Sequence, residues 1–299
     1  MDLRKLRLFL AVVDEGGFTR AAETEFVSQP SVSQAVRELE HELGTPLFHR
    51  LGRGVVLTAA GDALVGPARQ ALRDVDTARA AVAAVAGLEG GRLDLCSLPT
   101  LAVDPLAPLV GAFRTAHPSV GVTLADPDDA RELSSLVADG TCEIGLTVEH
   151  PADGSLEAIS LTEQELVAVY PPGTVASRST TFADLVAFPL VTGMPGTSTR
   201  RQLEDACADA GVSPVFTVVT AQREAIVPLV VAGAGATMLP RPLAETARTL
   251  GAAVVPFRPA ARRSVLLLTR RGARSPAADA FLALARPEDG VSARRRPRR

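Results

Sequence analysis

The chain has 299 residues, 46% hydrophobic and 22% charged, with 31 basic against 34 acidic side chains and a formal net charge of −3. This is globular composition with ample material for one or two domains, and it excludes a polycation that holds nucleic acid by bulk charge. Cys96, Cys142 and Cys207 are scattered, with no CxxC and no His/Cys spacing for zinc, so they read as reduced core thiols.

Residues Asp2 to Asp14 predict a first helix with Leu3, Leu6, Leu10 and Val13 on one side, Phe9 and Val12 adjoining, stopped by Gly16-Gly17. From Phe18 to Leu43 two helices follow, joined by a short turn. The first is expected over Thr19 to Glu25, capped by Thr19, with Ala21-Ala22 as a smooth packing side. Phe26 and Val27 form the corner. Ser28 caps the second helix, and Pro30 falls in its first turn, where a missing N–H costs nothing. Val32, Ala35, Val36, Leu39 and Leu43 line its apolar side, leaving Gln29, Ser31, Ser33, Gln34 and Arg37 outside. Any amphipathic pair in a bundle shows this apolar pattern. The outer face of amides, hydroxyls and an arginine also suits a DNA major groove.

Gly44 suits a left-handed helix end, and Pro46 prevents continuation. Phe48 to Arg50 and Val55 to Leu57 predict a hairpin around Leu51-Gly52-Arg53-Gly54, either a basic wing or an ordinary surface turn. Thr58 caps a long helix, about Ala59 to Ala86. Leu64, Ala68, Ala71, Val75, Ala78, Val82 and Val85 recur on a seven-residue period, the seam of a coiled coil, so this helix is expected to pair two copies; packing on its own domain is the alternative. Gly87 and Gly90-Gly91 mark a hinge.

From Arg92 the texture becomes alternating strands and helices: strands at Leu93–Ser97, Val120–Ala125, Cys142–Val148, Leu156–Leu161, Glu165–Val169, Leu190–Thr192, Val215–Val219, Thr237–Leu239, Val254–Phe257 and Val265–Thr269, with helices between most of them and a last one at Ser275–Ala285. Repeated βαβ units imply a mainly parallel sheet, and two such sets imply two lobes with a cleft. The tail Arg294–Arg299 reads as solvated, with a weak pull on DNA as the alternative.

The head resembles the helix-turn-helix of the LysR-type transcriptional regulators. Phe18, Ala21-Ala22, Val27-Ser28-Gln29-Pro30-Ser31-Val32-Ser33, Leu39-Glu40, Leu43-Gly44, Pro46-Leu47-Phe48, Arg50 and Thr58-Ala59-Ala60-Gly61 carry the likeness. The later part resembles that family's effector-binding domain, whose two lobes are crossed twice by the chain. The resemblance implies an α/β chain with a winged helix-turn-helix head (1–58), a coiled-coil linker helix and hinge (59–91) and a two-lobed Rossmann-like effector-binding domain (92–299). Lobe one is expected over 92–161 and 264–286, lobe two over 162–263, and the basic tail over 287–299. It implies a homodimer through the linker helix, a homotetramer, double-stranded DNA as partner and a small-molecule effector, an organic acid among the candidates. Gln29, Pro30, Ser33 and Gln34 are assigned to bases, and Ser31, Arg37, Arg50 and Arg53 to phosphates. One branch of the family senses peroxide through a cysteine pair near the place of Cys207; a thiol-sensing regulator is therefore the alternative, weakened because Cys207 has no second cysteine nearby in sequence.

Effectors in open α/β sheets sit at the carboxyl ends of strands. Three loops qualify: Ser97-Leu98-Pro99-Thr100, Gly196-Thr197-Ser198-Thr199 and Thr220-Ala221-Gln222, with Thr147 and Val148 at the end of a further strand. Each alone could be plain helix capping. No GxSxG, HExxH or GxxxxGK[ST] stands in the chain, Lys5 is its only lysine, and His41, His49, His117 and His150 are not spaced for catalysis. No enzyme activity, cofactor or metal is therefore expected. Asp2, Asp14 and Glu15 interrupt any signal peptide, and Pro228 breaks the longest apolar run, Ala225–Leu239, so the expectation is a cytoplasmic protein with no membrane partner.

Overall fold

The computed structural model describes residues 1–50, 55–85, 91–151, 154–174, 177–272 and 274–285. The head begins with α1 (Leu3–Glu15), capped by Asp2, whose carboxylate accepts the Lys5 N–H, and closed by Gly16 at φ 63°. Helices α2 (Phe18–Thr24) and α3 (Gln29–Leu43) follow, with Phe26 at φ 53° in the corner between them. Helix α2 starts at Phe18 from Gly17 without a side-chain cap, so Thr19 lies inside it and is not its cap. Ser28 and Pro30 open α3 as expected, and Gly44 ends it at φ 71°.

Leu6, Phe9, Val12, Ala21, Val32, Val36, Leu39 and Leu47 form one core. Leu43, expected inside, is 40% exposed because it stands at the end of α3 beyond that core. Strands β1 (Phe48–Arg50) and β2 (Val55–Leu57) pair antiparallel as the arms of the predicted hairpin. Its tip, 51–54 with Arg53, and the Arg50 side chain lie outside the described residues, as does the tail after Ala285.

Helix α4 (Ala59–Val85) is held at its start by Thr58, whose hydroxyl donates to the Pro46 carbonyl and accepts the Gly61 N–H. The seam splits in two. Ala68 is buried in the head core with Leu64 and Ala71 against it, so there the helix packs on its own domain. Further along, Ala78 is exposed and Val82 is 71% exposed.

The second domain opens with β3 (Gly91–Ser97), a short helix α5 (Pro99–Leu101), a turn kinked at Asp104, and α6 (Ala107–Ala116). Strand β4 (Val120–Ala125), helix α7 (Ala130–Ala138) capped by Asp129, and β5 (Ile144–Thr147) complete a βαβαβ half. Strand β6 (Leu156–Tyr170) then runs unbroken through the two stretches expected as separate strands. Lobe two adds α8 (Phe182–Val186), β7 (Leu190–Gly193), α9 (Ser198–Asp209), β8 (Phe216–Thr220), α10 (Ile226–Val231), β9 (Thr237–Pro240) and α11 (Arg241–Thr249). Strand β10 (Ala253–Arg270) likewise merges two expected strands, and α12 (Pro276–Ala285) returns to lobe one, where Phe281 meets Phe113 edge-on at 5.6 Å.

The larger sheet has the order β4-β3-β5-β10-β6-β9, and β7-β8 form a second. It is mixed, not mainly parallel: β3 runs parallel to β4 and β5, whereas β10 is antiparallel to both β5 and β6. The chain crosses between the lobes once outward and once back, and two such crossings can only pair antiparallel. Head, linker and lobe one meet at Arg69 of α4, which binds Asp14 of α1 at 2.5 Å and Asp139 after α7 at 2.9 Å.

A Cβ added at Gly61 would sit 2.1 Å from the Leu47 carbonyl oxygen, where the start of α4 meets the wing. Gly61→Ala is expected to lower head stability by about 1–3 kcal/mol, the usual range for forced overpacking. Denaturant unfolding followed by circular dichroism checks this, and an unchanged midpoint would contradict the packing.

Candidate functional site

In the head, α3 is set at a fixed angle by contacts at both ends. The Glu40 carboxylate accepts the Leu47 N–H at 2.8 Å and the Phe48 N–H at 3.4 Å, tying the helix to the wing. Lys5 of α1 reaches Glu42 at 2.6 Å and Glu38 at 3.0 Å. The Lys5 hydrogen bond, helped by the N-terminal amine, holds the Glu42 carboxyl well down, at about 2. These carboxylates therefore meet a positive charge on the protein itself, which softens their repulsion of a phosphate.

Gln29, Pro30 and Gln34 stand exposed on the outer side of α3, with Ser31 half-buried. Gln34 donates to Glu38 at 2.9 Å, and Ser31 shares a 2.8 Å hydrogen bond with Ser28. Ser33 departs from expectation. It is 6% exposed, tucked beside α2, and lies with Gln29 at the wall of a 340 Å³ groove that also takes in Phe18, Arg20 and Val55. Arg37 folds back, donating from Nε to the Ser33 carbonyl at 3.1 Å. A DNA phosphate would have to draw that guanidinium outward.

The second site is the cleft between the lobes. A cavity of about 230 Å³ is lined by Pro99, Thr100 and Val103 of lobe one and by Gly193, Thr197, Thr199, Arg223, Glu224, Ile226, Val227, Leu239 and Leu243 of lobe two. Of the residues expected here, Pro99, Thr100, Thr197 and Thr199 line it. Ser97 and Leu98 are buried beneath, Leu98 within the lobe-one core. Thr147 is fully buried and its hydroxyl accepts the Glu149 N–H, while Val148 packs on the lobe-one core. Ser198 is buried in the first turn of α9, and Ala221 and Gln222 are exposed just before Arg223. Sequence reasoning missed the apolar wall of Val103, Ile226, Val227, Leu239 and Leu243, because those residues look like ordinary core.

Two arginines latch the lobes over this cavity. Arg201 of α9 places one nitrogen 2.8 and 2.7 Å from the two Glu149 oxygens of lobe one and gives another to the Gly196 carbonyl. Arg223 donates to the Asp128 carbonyl at 3.0 Å and lies 3.9 Å from Asp126. Beneath them Arg263, 7% exposed, joins Thr100 of lobe one to Gln202 of lobe two. Burial lowers its guanidinium to about 10, with Asp104 opposing that fall.

The three cysteines are free and buried. The Cys96 thiol faces the Leu133 and Ile144 carbonyls inside lobe one, at 4.0 and 3.9 Å, and burial pushes the Cys207 thiol up in lobe two. Among the described residues no group of three His, Cys, Asp or Glu side chains could hold a metal ion, and no helix is long and apolar enough to cross a membrane.

A winged helix-turn-helix joined to a two-lobed α/β domain defines a bacterial type of DNA-binding regulator. Residues 3–62 match the model of the bacterial regulatory helix-turn-helix proteins of the lysR family, and residues 86–289 match the LysR substrate binding domain. The chain belongs to the LysR family of transcriptional regulators. It is 32% identical to the RuBisCO operon transcriptional regulator of Allochromatium vinosum, covering 94% of each chain. It is 31% identical to the regulator TfdS of Cupriavidus pinatubonensis, covering 97% of this chain and 99% of that one. Full-length CbnR complexed with its target DNA superposes with a TM-score of 0.68 at 25% identity, over 95% of this chain and 99% of CbnR. A full-length OxyR variant from Pseudomonas aeruginosa shares the fold at a TM-score of 0.76 and 23% identity, over 95% of this chain and 93% of that one. The protein is thus a DNA-binding transcription regulator with an effector-binding domain.

The Arg201–Glu149 pair is more than a third exposed on both sides. A double-mutant cycle of Arg201→Ala and Glu149→Ala is expected to give a coupling of about 0.2–1 kcal/mol that shrinks with added salt. Zero coupling at low salt would show that the pair does not latch the lobes.

Proposed function

We propose that this regulator reads an operator with paired α3 helices and that a small molecule held between the lobes changes the spacing of those helices. In this reading Gln29, Pro30 and Gln34 touch bases, with Ser33 set behind them at the groove wall, while Ser31, Arg37, Arg50 and Arg53 hold phosphates. The observation that carries it is the outer face of α3: Gln29, Pro30 and Gln34 are exposed, and Gln29 lines a groove shared with Phe18, Arg20 and Val55. Gln is suited to a bidentate pair with adenine.

Dimerisation follows from the second half of the α4 seam. Val75 lines a 390 Å³ groove with Leu3, Leu8, Val27 and Leu72, and Ala78 and Val82 continue its period into solvent. A second α4 covers these side chains and sets two heads on a two-fold symmetric site. Contacts between effector domains then build a tetramer. The modules are read as 1–58, 59–91 and 92–299, and the regulator as a cytoplasmic protein without enzymatic activity. CbnR, a similar protein, was crystallised with its target DNA. For this chain, burial of all three thiols favours a ligand over a redox signal.

Gln29→Ala should weaken binding at particular base pairs by about 1–3 kcal/mol while leaving random DNA unaffected. Fluorescence anisotropy on footprinted and scrambled duplexes measures this, and equal loss on both would count against direct readout. Val75→Asp should convert dimers to monomers in sedimentation velocity; an unchanged mass would reject the seam.

A further inference from the structure

Pro30, Gln34 and Glu38 recur every fourth residue along α3, so they share one stripe of the helix. Gln34 and Glu38 are both exposed. The Gln34 side-chain nitrogen donates to one Glu38 carboxylate oxygen at 2.9 Å. The other oxygen lies 3.0 Å from the Lys5 ammonium of α1, which also holds Glu42, one turn further on, at 2.6 Å. Lys5 is well seated, with 17% of its side chain accessible against 46% for Glu38. Two carboxylates four residues apart repel each other, and both repel a phosphate backbone. Lys5 offsets that repulsion but gives no reason for a carboxylate at position 38. The bond to Gln34 does.

A carboxylate only accepts hydrogen bonds, so the Gln34 amide must turn its nitrogen, not its oxygen, toward Glu38. The bond from Gln34, and after it the bond from Lys5, holds the Glu38 carboxyl below its ordinary range, which keeps it a pure acceptor. The end of a free glutamine rotates over a broad, roughly two-fold torsion and offers donor and acceptor in either order. At Gln34 one order is fixed. One N–H is spent on Glu38, and the oxygen and the second N–H remain. Adenine presents its N6 amino donor beside its N7 acceptor, and a glutamine reads it by setting oxygen and nitrogen in matching order. Among the described residues no side chain restrains Gln29, the other amide of the reading face, in this way.

We propose that Glu38, seated by Lys5, determines base specificity without touching DNA: it locks the Gln34 amide in one orientation and so narrows the choice of base that Gln34 accepts. This rests on the reading that Gln34 meets a base. Lys5 and Glu38 are positioning residues that act through Gln34. The same carboxylate weakens attraction to the phosphates of every sequence, so Glu38 lowers general affinity while it sharpens discrimination at one base pair.

The test uses the full-length protein, a footprinted operator and a panel of duplexes in which each base pair of a half-site is replaced in turn, read by fluorescence anisotropy. Gln34→Ala identifies the base pair that Gln34 reads, as the position where discrimination collapses. There the wild type should favour its base by about tenfold or more. Glu38→Gln is nearly isosteric but presents an amide that both donates and accepts, so it no longer dictates the order. It should cut that preference to about threefold or less and leave the position read by Gln29 unchanged. It should also bind scrambled DNA more tightly, because a negative charge has gone. Lys5→Met should cut the same preference yet bind scrambled DNA more weakly; one loss of discrimination with opposite shifts in general affinity separates a lock from bulk charge. If Lys5→Met does not fold, Glu38→Gln and Glu38→Ala carry the decision. An undiminished preference in both Glu38 variants, or a loss spread evenly over all positions, overturns the lock while leaving Gln34 as a reader. Discrimination that survives Gln34→Ala at every position overturns the reading on which the lock rests.

Discussion

Both lobes of the effector-binding domain hang on one pair of antiparallel strands. Between Glu163–Ser264 and Glu165–Arg262 the two crossings lie side by side, with Gln164 opposite Arg263 and register irregularities on either side. Any movement of one lobe against the other must pass through those few residues. The pairs that span the gap therefore act as its restraints: Arg201 with Glu149 at one wall, Arg223 with the Asp128 carbonyl at the other, and Arg263 between Thr100 and Gln202 on the floor. A molecule in the cleft shifts the lobes only as far as it binds one arrangement better than another.

The head obeys a similar constraint in miniature. Its reading helix is fixed by α1 along one side and by the Glu40 bonds to the wing at its far end. The close approach of Gly61 to Leu47 seats α4 against the same wing. A turn of the linker therefore carries the reading helix with it. Arg69 links this unit to lobe one through Asp14 and Asp139, so the route from cleft to DNA has a charged contact midway as well as a covalent one.

Much of the head could be read from sequence because its signals are local. Ser28, Pro30 and Gly44 bound α3 by capping chemistry that acts within a turn, and the apolar period of Val32, Val36 and Leu39 follows from helix geometry. The mixed sheet could not be read so easily. Strands β6 and β10 each span both lobes, though their pairing skips from Pro256 to Ala261, and they are polar where they cross, at Thr162–Glu165 and Arg258–Arg263; that polarity breaks the hydrophobic pattern into apparent separate strands. Pairing direction depends on partners a hundred residues away. In the cleft, strand ends pointed to Thr100, Thr197 and Thr199, whereas Val103, Ile226 and Leu243 carry no mark that separates a pocket wall from a core. Arg263 looked like one more charge in an arginine-rich run, and only the fold buries it.

The central claim is that cleft and DNA are read through the same conformational balance, and such coupling must be reciprocal. The direct measurement is a closed thermodynamic cycle on the full-length protein: affinity for a footprinted operator with and without a saturating ligand of the cleft, and affinity for that ligand with and without operator. The account predicts that both affinities change, and by the same factor. A ligand that binds the cleft with undiminished affinity in both states, leaving operator affinity and footprint length unaltered, would contradict it.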